Sequence, residues 1–169
     1  MDHAQDRQRP FYTSAGYERL LDRIARARAD YHAVCRTNEE AAGAGDSSVW
    51  HDNFAYEENQ RRMHQLATRV ADLERLAQRA RIVSPPSTVD RVMVGTRVTV
   101  RIEDRAEAHW EIAGFDDGDP ALGRISYVSP LGRALIGTAA GEVLEVVLDG
   151  RARELEVLAV THTGLEEVA

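Results

Sequence analysis

Lysine is absent from this chain, and all 21 basic residues are arginine, a uniformity that fits a genomic composition bias better than a functional choice. Cysteine occurs once, at Cys35, so no internal disulfide can form, and a cytoplasmic location is expected. No apolar run approaches the ~20 residues that a membrane span requires, and Met1 to Arg7 lack the apolar stretch of a signal peptide. No membrane partner is therefore expected. One cysteine and six scattered histidines offer no zinc-ligand spacing. No phosphate-cradling glycine loop, nucleophile elbow, dinucleotide fingerprint or internal repeat occurs. What remains is a chain of 169 residues, 43% hydrophobic and 29% charged, which is enough for one or two folded domains with a real core.

Charge is unevenly distributed. Between Thr37 and Gln60 lie six acids (Glu39, Glu40, Asp46, Asp52, Glu57 and Glu58) and no basic residue. Residues 1–36 carry seven arginines against five acids, residues 61–91 seven against three, and residues 92–169 seven against fourteen. The pattern describes a basic stalk with an acidic tip, followed by an acidic globular half. Concentrated carboxylates suit a metal ion or a cationic pocket and suit bare phosphate poorly. Recognition of free DNA sequence is accordingly not expected.

Thr13 and Ser14 can cap a helix beginning near Ala15. Tyr17, Leu20, Ile24, Ala27, Tyr31, Val34 and Asn38 then recur at alternating spacings of three and four. Asn59, Met63, Leu66, Val70, Leu73, Ala77 and Ala80 repeat the pattern. Such spacing is the seam of a coiled coil. Folded so that paired residue numbers add to 97, every layer aligns, with Ile24 beside Leu73 and Tyr31 beside Leu66. This predicts a long antiparallel helical hairpin, each arm of about 28 residues spanning ~40 Å. The tip, Gly43 to Ser48, is rich in turn formers. Asn38 and Asn59 either fix the register through a buried hydrogen bond or face solvent. Trp50 either packs back on the hairpin end or contacts a partner. His32 and His64 are expected at the helix surface, and Cys35 is expected to be a small helix residue without a partner.

Ser84 to Thr88, with its consecutive prolines, ends the helical half. The expected domains are a hairpin over 11–83, a linker over 84–90 and a globular domain over 91–169. Val92 to Ile102, His109 to Phe115, Arg124 to Val128, Glu142 to Leu148 and Arg153 to Val160 have strand patterns. Trp110 is expected in the sheet core. Asp149-Gly150 signals a two-residue hairpin. Ser129 and Pro130 read as N-cap and first residue of a short helix, Leu131 to Ile136, closed by Gly137. The fold class is α+β, a helical hairpin joined to a small antiparallel sheet with one short helix.

Two segments carry a resemblance. Tyr12-Thr13-Ser14-Ala15-Gly16-Tyr17-Glu18-Arg19-Leu20 resembles the opening of the bacterial Gre transcript-cleavage factors. Ile125-Ser126-Tyr127-Val128-Ser129-Pro130-Leu131-Gly132-Arg133-Ala134-Leu135-Ile136-Gly137 is similar to their most recognisable C-terminal segment. The resemblance covers roughly residues 11–162. It implies a coiled-coil hairpin, a C-terminal domain of FK506-binding-protein-like fold without implied prolyl isomerase activity, and bacterial RNA polymerase as partner. It further implies that the globular domain docks at the rim of the polymerase secondary channel while the hairpin reaches toward the active centre and the RNA 3′ end.

The tip departs from the family pattern Gly-Asp-Leu-x-Glu-Asn-Ala-Glu-Tyr. Gly45-Asp46 match its start, and Asn53 and Tyr56 its end. Asp52 stands where the family has its first Glu, five residues separate it from Asp46 where the family has two, and Ala55 replaces the second Glu. By the resemblance, Asp46 and Asp52 are the candidate catalytic acids that would help hold the polymerase's magnesium. No tightly bound cofactor is expected beyond that shared ion. Three extra residues displace the carboxylates by several ångströms, and metal-assisted chemistry is sensitive to ~1 Å. The chain is therefore expected to be a channel-binding regulator that inhibits or modulates transcription and is not itself an enzyme, with accessory stimulation of polymerase-borne RNA cleavage left open. The alternatives are a working cleavage factor using Asp46 and Asp52, and a free-standing hairpin scaffold. Expected partner-binding residues are Ser129, Pro130, Leu131, Trp50, Glu57 and Glu58, with packing as the competing role for the first three.

Overall fold

The computed structural model describes residues 9–43, 53–103, 107–148 and 150–163, with backbone only for 38–43 and 53–56. The chain divides into two compact units, Glu18–Arg79 and the residues on either side of it up to Tyr17 and from Ala80. The expected boundaries placed residues 11–17 and 80–83 with the hairpin.

In the first unit, helix α1 (Ser14–Gly43) and helix α2 (Asn53–Arg79) are the two arms. Thr13 starts α1: its hydroxyl accepts from the Gly16 N–H at 3.0 Å and its carbonyl from the Tyr17 N–H at 2.9 Å. Burial follows the seam. Leu20, Ile24, Ala27 and Leu73 are buried, and Tyr31, Val34, Asn59, Met63, Leu66, Val70 and Ala77 are half-buried. His32 and His64 are exposed. Cys35 does have a partner: its side-chain hydrogen bond to the Tyr31 phenol raises that phenol's pKa above its ordinary value.

The ion pair of Arg28 with Glu74 links the arms. Arg28 Nε lies 2.8 Å from Glu74 Oε1. Arg28 follows seam residue Ala27, and Glu74 follows seam residue Leu73, so both occupy the same flank of the hairpin. Their numbers sum to 102, five beyond the seam sum of 97. That offset is what antiparallel helices require. Each side chain leans toward its own helix N-terminus, so two long flanking side chains converge when each residue sits slightly C-terminal of the layer between them.

The second unit is a mixed five-stranded sheet. Its strands are β3 (Thr96–Ile102), β4 (Glu107–Ala113), β5 (Arg124–Ser126), β6 (Val143–Leu148) and β7 (Arg151–His162), in the order β5-β4-β3-β7-β6. The β4–β5 pairing is parallel, so the sheet is not wholly antiparallel as the strand patterns suggested. A connection of ten residues, 114–123, carrying a one-turn 3₁₀ segment, Pro120–Leu122, makes that pairing possible. Val92 and Val94 precede β3 rather than belong to it; Val92 is buried, its N–H bonded to the Thr138 carbonyl at 2.8 Å. On β7 a bulge lets Val98 face Val160 while Val100 faces Val157, which reconciles an apolar run with a two-sided strand.

The core gathers Val92, Val98, Val100, Ile112, Leu135, Val146, Leu155 and Val157, with Trp110 half-buried against it. A short parallel pair, β1 (Phe11–Tyr12) with β2 (Arg81–Ile82), had no sequence signal. Two residues per strand are too few for any period to show. Phe11 seats β1 on this unit: its carbonyl accepts from Phe115 N–H at 2.9 Å, and its ring meets Tyr127 at 5.9 Å.

Candidate functional site

The segment from Arg124 to Leu135 borders a concave surface of the sheet unit. Strand β5 ends at Ser126, whose hydroxyl donates to the buried Gly114 carbonyl at 2.7 Å. The chain then turns: the Ser129 N–H donates to the Ser126 carbonyl at 3.0 Å, and the Ser129 hydroxyl accepts from the Gly132 N–H at 3.0 Å. Ser129 is thus the N-cap and Pro130 the first residue of helix α3 (Pro130–Leu135). Gly132 is obligatory here. A Cβ on it would lie 2.1 Å from the Ser126 carbonyl oxygen and 2.9 Å from Tyr127 Cα. Leu135 fills the core, and Leu131 is half-buried against it. Ile136 is 39% exposed and forms the helix C-cap.

Beside this helix lies a groove of about 680 Å³. Trp110, Phe115, Ile125, Val128, Pro130, Leu131, Val147 and Leu148 supply its apolar lining, and Asp116, Arg124, Ser126 and Ser129 its polar points. Arg124 Nη2 pairs with Asp119 Oδ2 at 3.3 Å, while its buried Nε has no partner among the described residues. An apolar trough with a few convergent polar groups is the ordinary form of a binding surface. Ser129, Pro130 and Leu131 therefore have both expected roles: they cap and pack the helix, and they line the groove. Phe115, Val147 and Leu148 were not anticipated in it. The one signal for Val147 and Leu148 is the sequence Val146-Val147-Leu148, where three consecutive apolar residues break strand alternation and leave Val147 67% exposed; Phe115 has none.

The other candidates lie on the hairpin. Glu57 and Glu58 are exposed near the start of α2, and Glu58 pairs with Arg61 at 2.6 Å, so the first basic residue past the tip already offsets one of its acids. Asp46, Trp50 and Asp52 lie outside the described residues, as does the side chain of Asn38. Among the described residues no group of three or more His, Cys, Asp or Glu side chains could hold a metal ion, and no helix is long and apolar enough to cross a membrane.

Both halves match known proteins. Residues 11–82 match the family described as transcription elongation factor, N-terminal, and residues 86–162 match transcription elongation factor, GreA/GreB, C-term. The chain is 35% identical over 134 residues to a transcription elongation factor GreA of Sphingopyxis alaskensis, covering 79% of this chain and 83% of that protein.

This chain belongs to the GreA/GreB transcription elongation factor family.

A second relative, transcription elongation factor GreA of Caulobacter vibrioides, is 34% identical over 151 residues, covering 88% of this chain and 94% of its own. A solved structure, GreA factor homolog 1 (Gfh1) of Thermus thermophilus, matches 90% of this chain and 99% of its own at 24% identity and a TM-score of 0.42. The relatives correct one expectation. The altered tip argued for a chain that is not an enzyme, yet the curated relatives spanning both halves bear the GreA elongation-factor name. A departure confined to a dozen tip residues does not outweigh similarity along the rest of the chain.

Proposed function

We propose that this GreA/GreB family member binds bacterial RNA polymerase, places its acidic-tipped hairpin in the secondary channel and modulates elongation there. The observation that carries the proposal is the pairing of two family matches, over residues 11–82 and 86–162, with a hairpin whose only acid-rich, arginine-free stretch falls at its turn. The groove beside α3 is the surface through which the sheet unit would dock. Its apolar trough and polar rim suit a protein partner, and Pro130 stands exposed at its edge. The acids act through charge near the polymerase active centre, because Coulomb energy falls slowly with distance and tolerates the three inserted residues between Asp46 and Asp52.

A second reading is favoured by the relatives' name. On it, the factor stimulates RNA cleavage by the polymerase, with Asp46 and Asp52 helping to hold a magnesium ion. Carboxylates are the donors that this hard cation takes, so the residue types fit. When bound, the ion would supply the activated water.

A backtracked elongation complex tests both. Charge modulation predicts slowed nucleotide addition that weakens gradually with Asp46→Asn or Asp52→Asn and nearly vanishes when Glu57 and Glu58 are neutralised as well. Short 3′ RNA fragments that disappear with Asp46→Asn alone select the cleavage reading. Full response from a chain with all four acids neutralised sinks both.

A further inference from the structure

Among the described residues strand β6 ends the sheet, with no strand on its outer side. The register places Leu148 opposite Arg151, so the turn between them has two residues, and Gly150 takes a positive φ of 74°. Residues flanking such a turn exchange hydrogen bonds, and alternate pairs along the ladder do the same. Leu148, Val146 and Leu144 therefore bond to β7. The bond from Val157 N–H to the Glu142 carbonyl, 2.8 Å, continues the same set. The N–H and C=O groups of Val143, Glu145 and Val147 point the other way, and no strand among the described residues pairs with them.

The side chains of those three residues also face out. Val143 is 55% and Val147 67% exposed. Natural edge strands are usually blunted by lysine, proline, a bulge or short length. Strand β6 runs six residues with none of the first three. Its one charge, Glu145, stands directly opposite Glu154 of β7, a like-charge pair that costs stability. The neighbouring Glu156 is held by Arg101 at 3.1 Å, whereas Glu145 and Glu154 have no basic partner among the described residues. An open edge, two exposed valines and two uncompensated carboxylates thus fall on one strip.

We propose that β6 accepts, as a sixth strand, an extended segment of another protein that carries a basic residue opposite Glu145 and apolar residues opposite Val143 and Val147. Main-chain bonds from the three outward pairs supply attachment, and the alternate side chains supply choice. The basic residue relieves the Glu145–Glu154 repulsion. A second copy of this chain suits the edge poorly. An antiparallel pairing centred on Glu145 sets Glu145 against itself, and residues 92–169, with fourteen acids and seven arginines, repel their like. Val147 and Leu148 also line the groove beside α3, so the added strand runs into it. The proposal does not depend on the hairpin tip or on its action in the polymerase.

The test uses the full-length isotopically labelled chain and the blocked peptide TVTKTVT, followed by amide exchange. The expected result is slowed exchange at Val143, Glu145 and Val147 alone, since Leu144, Val146 and Leu148 are already bonded. Added salt weakens the effect. The exposed substitution Glu145→Lys weakens binding about five-fold, the upper range for one surface ion pair, and shifts preference to TVTETVT. Unchanged exchange at the three amides at saturating peptide overturns the proposal, whatever the variant does. So does equal binding of TPTKTPT, which keeps the lysine but loses two N–H donors. Protection at the same amides that grows with protein concentration, without peptide, also overturns it and assigns the edge to a second copy.

Discussion

The hairpin unit and the sheet unit use different rules to reach the same end. In the hairpin, burial is one-dimensional: a single seam of Leu20, Ile24, Ala27 and Leu73 and their half-buried neighbours holds two helices, and each layer meets only the next. In the sheet unit eight fully or nearly fully buried residues come from β3, β4, β6, β7, α3 and the segment before β3, so each depends on partners far away in sequence. A local fault in the hairpin should cost one layer. A local fault in the sheet unit should cost the seating of a whole element. The seam also tolerates small residues such as Ala27 and Ala77, whereas the sheet unit has sites where one added methyl has nowhere to go.

Gly132 is the sharpest case and carries the largest expected effect. With a Cβ 2.1 Å from the Ser126 carbonyl, Gly132→Ala forces α3 away from β5 and withdraws Leu135 from the core. The expected loss is about 3 kcal/mol, at or above the upper end for overpacking, despite the better helix propensity of alanine. Thermal unfolding followed by the sheet's amide signals measures it. A neutral or stabilising result would show that the sheet unit yields as readily as the hairpin.

Leu73→Ala probes the other side. Leu73 is buried, so its truncation should cost ~2–4 kcal/mol, toward the lower end because the hairpin core is only one layer deep. Helical ellipticity should melt earlier, while exchange at the buried strand amides of Val98 and Val100 stays unchanged. Loss of protection in both units together would end the comparison, since the units would then share one transition.

Periodicity decides what was legible. The seam of each arm was legible because a 3,4 spacing sustained over seven positions fits a packed helix and no strand, and the buried and half-buried residues fall on it. Strand existence was legible for β3, β4, β5, β6 and β7, and the turn at Gly150 came from a dipeptide with strong conformational preference. The parallel β4–β5 pair was not, because pairing direction is decided by the path of the connection and leaves no mark on either strand. The β7 bulge hid for a related reason: it turns an alternating pattern into an apolar run. Of the candidate site, Ser129 and Pro130 were legible through capping chemistry. Phe115 and Val147 reach the same groove from distant segments that only the folded chain brings together. The acids Asp46 and Asp52 are legible by resemblance alone.

The smallest expected effect tests the hairpin register most directly. Arg28 and Glu74 are solvent-exposed, with 57% and 34% of their side-chain surface accessible, so a double-mutant cycle should return only ~0.2–1 kcal/mol of coupling, reduced by salt. The position of the coupling matters more than its size. Two flanking residues of α2 could in principle answer Arg28: Glu74, whose number with 28 sums to five more than the seam, and Ala67, which sums to two less. Along the axis Ala67 is the nearer, since five residues amount to ~7.5 Å of helix rise and two to ~3 Å. Yet side chains lean toward their own N-termini, so Arg28 and Glu74 lean together while Arg28 and position 67 lean apart. Installing a carboxylate by Ala67→Glu, in a chain where Glu74→Gln has removed the natural partner, should therefore restore little of the coupling. Reversing the pair with Arg28→Glu and Glu74→Arg should restore most of it. Stronger coupling to position 67 than to Glu74 would place the seam one heptad flank away, and the pairing of Ile24 with Leu73 would fall with it.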